Sequence, residues 1–207
     1  MTDLIALDRL AVLESVRLLG LAADADLERD TPCVGWTLRR LAAHMTAQHR
    51  GFAAAARGEG DGPAPWRETT DTADPAGAHR AAARDLLDAF TQPGVPAREF
   101  ALPGLRGGPG PGGGWPGRFA VGFHLVDYAV HAWDVAVTLG ARVELPAPVV
   151  TAALAVARQV PADPGLRGPG AAFGPPVQAP GAASDFARML TLLGRDPGRW
   201  PGGEPQM

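Results

Sequence analysis

Between Gly117 and Gly140 the chain reads GRFAVGFHLVDYAVHAWDVAVTLG, and four of these residues, His124, Asp127, His131 and Asp134, carry side chains that can bind a metal or move a proton. The apolar residues around them recur at helical period, so the stretch is expected to form one long helix. At 3.6 residues per turn Asp127 and His131 share a face one turn apart, about 6 Å along the axis. A carboxylate and an imidazole so placed make half of a metal site on a rigid scaffold. His124 with Asp127 is the other register, and periodicity does not choose between the two. His124 and His131 lie about 10.5 Å apart along the axis, too far to share one ion without strain. A plain core helix with a few polar residues on its wet side fits less well, because the polar residues interrupt the apolar stripe where burial should be deepest.

The other half of such a site must come from elsewhere. The chain has five histidines; besides His124 and His131 they are His44, His49 and His79. A second helix, TLRRLAAHMTAQHRGFAAAAR, holds His44 and His49, which point about 140° apart at 100° per residue. Only one is expected to face the interior, and His44 lies on the apolar side with Leu41, Met45 and Gln48. His79 opens a third helix among Ala, Arg and Asp and is expected to be exposed. Two imidazoles, one carboxylate and no evident fourth ligand match a catalytic metal site with an open position, whereas structural zinc sites are closed and cysteine-rich. Zn(II), Fe(II) and Ni(II) all suit such a ligand set. Cys33, between Pro32 and Val34, is expected to be a packed loop residue.

The elements that must position these residues are helical. Apolar spacing predicts helices over Asp3–Ala22, from the cap Thr37 to Arg57, over Ala76–Gln92, from Arg118 to Leu139 with a stop at Gly140, over Pro146–Val160, and from the cap Ser184 to Gly194. Residues 58–75 read as a loop, and Arg98–Leu102 as extended. Pro103–Gly117, nearly all Gly and Pro with Trp115 as its one bulky anchor, is expected to hold no regular structure and to act as a connector or as a mobile lid. The tail after Trp200 is expected to be disordered. The implied organisation is a bundle over residues 1–140 and a Pro/Gly-rich helical extension over 141–207.

Composition narrows the function. The formal charge is −3 and all 19 basic residues are Arg; the slight acidity argues against nucleic acid as a partner. One cysteine excludes an internal disulfide. The start, MTDLIALDRL, has early acids and no basic stretch before an apolar run, so no signal peptide is expected. No uncharged apolar run reaches the length of a membrane span. A cytoplasmic protein acting on a small molecule is the expectation.

Three stretches together carry a resemblance: Thr31–Thr37 (TPCVGWT) followed by Leu41–His44 (LAAH), Asp127–Ala136 (DYAVHAWDVA), and the closing Leu190–Pro197 (LTLLGRDP). They resemble the actinobacterial DinB-like proteins, in particular the metal-binding branch related to mycothiol-dependent maleylpyruvate isomerase. The resemblance implies an all-α, DinB-like antiparallel four-helix bundle holding a divalent metal, usually zinc, through a histidine of the second helix and an acid–histidine pair four apart on the last. Mapped onto this chain these are His44, Asp127 and His131. The register thus becomes Asp127 with His131. His124 is left to stand behind a ligand, gate the site or act as acid or base, and Asp134 to orient an imidazole. The resemblance also implies isomerase or thiol-transfer chemistry with mycothiol as cofactor. This chain departs from the isomerase in having Asp127 in place of Glu, and the stretch after Gly140 reads as Pro/Gly-rich and helical where the isomerase has a sizeable α/β domain.

Overall fold

The computed structural model describes residues 3–105, 107–163, 167–168, 172–178 and 184–199. The tail expected to be disordered after Trp200 lies outside them. Among the described residues six α-helices form: α1 (Leu4–Leu19), α2 (Leu38–Arg57), α3 (Pro75–Phe90), α4 (Gly117–Leu139), α5 (Ala147–Ala157) and α6 (Asp185–Leu192). Their starts follow local chemistry. Asp3, Thr37, Asp74 and Ser184 each accept a hydrogen bond from an amide of the first helical turn, the pairing that satisfies otherwise orphaned donors. α4 ends on Gly140 in the left-handed conformation at φ 68°, which costs glycine no Cβ clash.

The first four helices form the bundle. α1 packs on α4 and α3, and α2 packs on α3 and α4. One apolar cluster joins Leu18, Leu41, Met45, Tyr128 and Trp133, and it continues into Val149 of α5 and Leu190 of α6. A second joins Phe52, Leu86, Phe90, Phe100 and Val121. α4 is buried around nearly its whole circumference, as befits a helix with partners on several sides. Among the described residues no helix is long and apolar enough to cross a membrane.

The Gly/Pro-rich segment corrects an expectation. Trp115–Pro116 (β2) pairs antiparallel with Glu99–Phe100 (β1), Phe100 opposite Trp115. Glu99 Oε1 accepts from the amides of Gly112 and Gly114 at 2.9 and 2.8 Å. The Trp115 indole donates to the Leu105 carbonyl at 2.7 Å and its ring packs edge-on against Phe123. One carboxylate and one indole therefore order a stretch whose composition alone favours disorder. It sits at the N-terminal end of α4, about 15 Å along the axis from Asp127.

Candidate metal centre

α2 and α4 bring His44, Asp127 and His131 together: one donor atom from each lies within 4.8 Å of the other two. His131 Nε2 is 3.4 Å from Asp127 Oδ1. Zinc bonds of about 2.0–2.1 Å in a tetrahedron put neighbouring ligand atoms about 3.3 Å apart, so this edge already has the spacing of a coordination edge. The His44 and His131 rings meet edge to face at 5.4 Å. His131 is buried, and Asp127 and His44 are partly open to solvent, which leaves one side of the cluster accessible.

Both imidazoles are held from behind by a carboxylate. Asp134 Oδ2 accepts from His131 Nδ1 at 2.8 Å, and Glu68 Oε1 lies 2.9 Å from His44 Nδ1. A carboxylate on one ring nitrogen fixes the tautomer and turns the other nitrogen toward a cation. Asp134, one of the candidates from the sequence, is fully buried. Arg195, from the turn after α6, grips it with Nε–Oδ1 at 3.2 Å and Nη2–Oδ2 at 2.9 Å. Burial alone would lower the His131 pKa; Asp127 above all, with the hydrogen bonds to Asp127, Asp134 and Cys33, holds it well above the ordinary histidine value. Burial alone would likewise raise Asp134, and Arg195 and His131 together keep it well below the usual carboxylate range.

Glu68 was not expected. It rides on the 58–74 loop, whose anchor is Trp66. The Trp66 indole donates to the Gly60 carbonyl at 2.9 Å, and its ring lies flat against α2 at Gly51, where a Cβ would come within 2.1 Å of it. Glycine is therefore needed at position 51 for the loop to close. The Glu68 carboxyl is held below its usual range by the His44 hydrogen bond, with Arg40 adding to the effect.

The TPCVGWT turn closes the cluster from the other side. Trp36 N donates to the Cys33 carbonyl at 2.9 Å, and the Thr31 hydroxyl bridges the turn to the Trp36 carbonyl at 3.0 Å. This sets the Trp36 ring edge-on to His44 at 5.0 Å, with the Arg40 guanidinium over the Trp36 ring at 4.5 Å. Cys33 is more than a packed loop residue. Its Sγ lies 3.2 Å from Asp134 Oδ2, 3.2 Å from Arg195 Nη2 and 4.0 Å from His131 Nδ1. Burial and the Asp134 charge push the thiol pKa up.

The remaining histidines form a separate group in the bundle core. His124 Nδ1 bonds Asp8 Oδ1 at 2.7 Å and its Nε2 faces His49 Nδ1 at 3.2 Å. Both nitrogens are engaged, and His124 is not among the converging donors. His49 stacks on Tyr128 at 4.2 Å and packs on His79 at 4.7 Å. His79 Nε2 lies 3.0 Å from the Ser15 hydroxyl. Asp8, His49, His79 and His124 are all fully buried, so two expectations are corrected. His79 is not exposed: with Ala82, Ala83, Leu86 and Phe90 it forms one buried stripe of α3, while Arg80, Arg84 and Asp85 take the outer face. Of the two histidines of α2, His49 rather than His44 is the fully buried one, while His44 stands at the partly open cluster beside Asp127 and His131.

Comparison with known proteins agrees with this architecture. The family described as mycothiol maleylpyruvate isomerase N-terminal domain matches residues 9–136. Uncharacterized proteins from two strains of Mycobacterium tuberculosis are each 30% identical over 165 residues, 80% of this chain and 82% of theirs. Crystal structures of the mycothiol-dependent maleylpyruvate isomerase and of a histidine-to-alanine mutant superpose with TM-scores of 0.52 and 0.57. They are 18% and 20% identical and cover 76% of this chain and 72% of those chains. At that identity they show the fold, an all-α DinB-like bundle, and the match over α1 to α4 shows the lineage: the chain belongs to the mycothiol maleylpyruvate isomerase N-terminal domain family.

Proposed function

We propose that this chain is a metal-dependent enzyme of small-molecule metabolism, of the isomerase or thiol-transfer type, using mycothiol as its thiol. His44, Asp127 and His131 would hold the cation, and the donor set favours zinc while also suiting Ni(II) or Fe(II). The observation that carries the reading is the convergence of these three donors within 4.8 Å, each imidazole backed by its own carboxylate. A bound cation supplies Lewis-acid activation of a thiol, a water or a carbonyl. The protein's own part is positioning and charge. Asp134 and Glu68 keep each ring in the tautomer that offers the other nitrogen. Asp127 contributes one negative charge, so two neutral imidazoles and one carboxylate leave a divalent site net positive and receptive to an anionic reactant. Asp134 adds no net charge, because Arg195 pairs with it. Thiol chemistry is supported by the names of the family and of the structural neighbours.

A second reading, a thiol-independent cyclase, isomerase or lyase, keeps the same site and drops the cofactor. Calorimetry separates them. Mycothiol titrated into zinc-loaded protein is expected to bind with proton release, as thiols do when they ligate zinc, and not to bind the zinc-free protein. Zinc-loaded protein that ignores mycothiol favours the second reading. Protein that takes up no stoichiometric metal contradicts both.

A further inference from the structure

The group formed by Cys33, His131 and Asp134 is a second set of donors within 4.8 Å of one another, and it shares His131 with the first. A thiol, an imidazole and a carboxylate at this spacing suit zinc or cobalt as well as the first set does. Yet a cation is already built into it. The Arg195 guanidinium, only 8% exposed, lies 2.9 Å from Asp134 Oδ2, 3.2 Å from Oδ1 and 3.2 Å from Cys33 Sγ. Its third nitrogen donates to the Leu193 carbonyl at 3.1 Å. The planar two-pronged fit to the carboxylate is one that arginine makes and lysine does not.

The turn that delivers it is specified locally. Gly194 adopts φ 80°, and a Cβ there would lie 2.9 Å from the Gly174 backbone. The Arg195 amide closes the turn on the Leu190 carbonyl at 2.9 Å. Arg195 lies in the closing LTLLGRDP stretch, beyond residues 9–136 that the N-terminal family model matches; it is the reach of the C-terminal segment into the bundle.

We infer that Arg195 is a positioning residue of the metal centre: as a resident cation it fills the space among Cys33, Asp134 and the Nδ1 side of His131, so that metal is confined to the Nε2 side with Asp127 and His44. The inference rests on the metal-binding reading above. While Arg195 holds Asp134, the carboxylate serves as acceptor for His131 Nδ1 and for the Cys33 thiol. Without Arg195 the buried carboxylate is uncompensated, and an added divalent cation is the natural replacement, drawing in the Cys33 sulfur as a thiolate.

Cobalt(II) titration reads this directly, because sulfur ligation adds a near-ultraviolet charge-transfer band that nitrogen and oxygen ligation lack. Wild-type protein is expected to bind one equivalent without that band. Arg195→Ala is expected to bind cobalt 10- to 100-fold more weakly at the first site, the range for groups behind metal ligands, and to show the band; Arg195→Ala combined with Cys33→Ser is expected to lose it. Arg195→Ala that is folded and gives the wild-type affinity and spectrum overturns the inference. If Arg195→Ala does not fold, Arg195→Lys carries the test. It keeps the charge and loses the two-pronged fit, so weaker cobalt binding is expected, and wild-type affinity and spectrum overturn the inference. Wild-type protein that takes up no cobalt, or takes it equally well after His44→Ala, instead defeats the metal-site reading itself.

Discussion

Asp127→Asn is expected to weaken zinc binding by more than about 100-fold with little change in the fold. The loss should exceed the 10- to 100-fold typical of groups standing behind ligands, because a ligand is removed outright. Asparagine has the same shape, so packing is preserved, but it removes the only negative charge among the three converging donors. The metal-free protein should tolerate the change. Asp127 keeps 16% of its side chain exposed, so no large cavity or deeply buried orphan results, and His131 retains its bond to Asp134. In that metal-free state His131 loses the larger of its two carboxylate attractions, so its pKa should move down toward the ordinary value. Competition with a chromophoric chelator gives the affinity, and circular dichroism the melting point. Binding within a few-fold of wild type would remove Asp127 from the centre.

Acid is expected to destabilise the metal-free protein well before its carboxylates titrate, through the core histidines. His79 is pushed down to about 3 by burial and by His124, and His49 is pushed well below the usual value by burial, His79 and His124. Both are therefore neutral when folded and take up a proton near pH 6.5 when unfolded. Their contribution is complete above pH 6.5 and is lost as pH falls toward the folded values. Each proton withheld costs about 1.4 kcal/mol per pH unit, so from pH 6.5 to 4.5 His79, held near 3, removes about 3 kcal/mol, a large part of a normal folding free energy, and His49 acts in the same direction. The neighbours act differently. Asp8, raised by burial against the opposing pull of His124, gains stability as pH falls and offsets part of the loss. His131, raised in the fold, is already at full effect below pH 6.5. Asp127 and Asp134, both depressed, act only below about pH 4, near the ordinary carboxylate value. Tyr128 is raised and stays neutral throughout. Urea unfolding of chelator-treated protein at pH 6.5 and 4.5 checks this. His79→Gln, which can still bond Ser15, is expected to shrink the difference by up to about 3 kcal/mol. A stability that is flat or rises toward pH 4.5 would contradict the neutral-histidine core.

Much of this was readable in the chain because it is local. The caps Thr37 and Ser184 and the stop at Gly140 are short-range chemistry and lie where expected. Helical geometry sets Asp127 and His131 one turn apart on one face, but it offers His124 with Asp127 equally, and the resemblance selects the register. For α2, the apolar side with Leu41, Met45 and Gln48 points to His44 as the inward histidine, whereas His49 is the fully buried one, because an alanine-rich helix has no narrow apolar stripe to separate the two directions. Residues that act across distance were not legible. Glu68 sits in a loop of turn-forming residues, and its place depends on Trp66 finding the gap left by Gly51 on α2. Arg195 is 61 residues from Asp134 and is aimed by a single glycine turn. The charged neighbours of His79 point to an exposed face, whereas the alanines three and four residues on, Ala82 and Ala83, mark the buried stripe to which it belongs.

X-ray absorption at the zinc edge, on protein loaded with one equivalent of zinc, tests most directly whether a cation sits among His44, Asp127 and His131 with a place left for a reactant. The expected spectrum shows only nitrogen and oxygen neighbours at about 2.0–2.1 Å, including two imidazoles. A zinc–sulfur distance near 2.3 Å would place the ion on the Cys33 side of His131 and contradict the account, as would a spectrum left unchanged by His44→Ala.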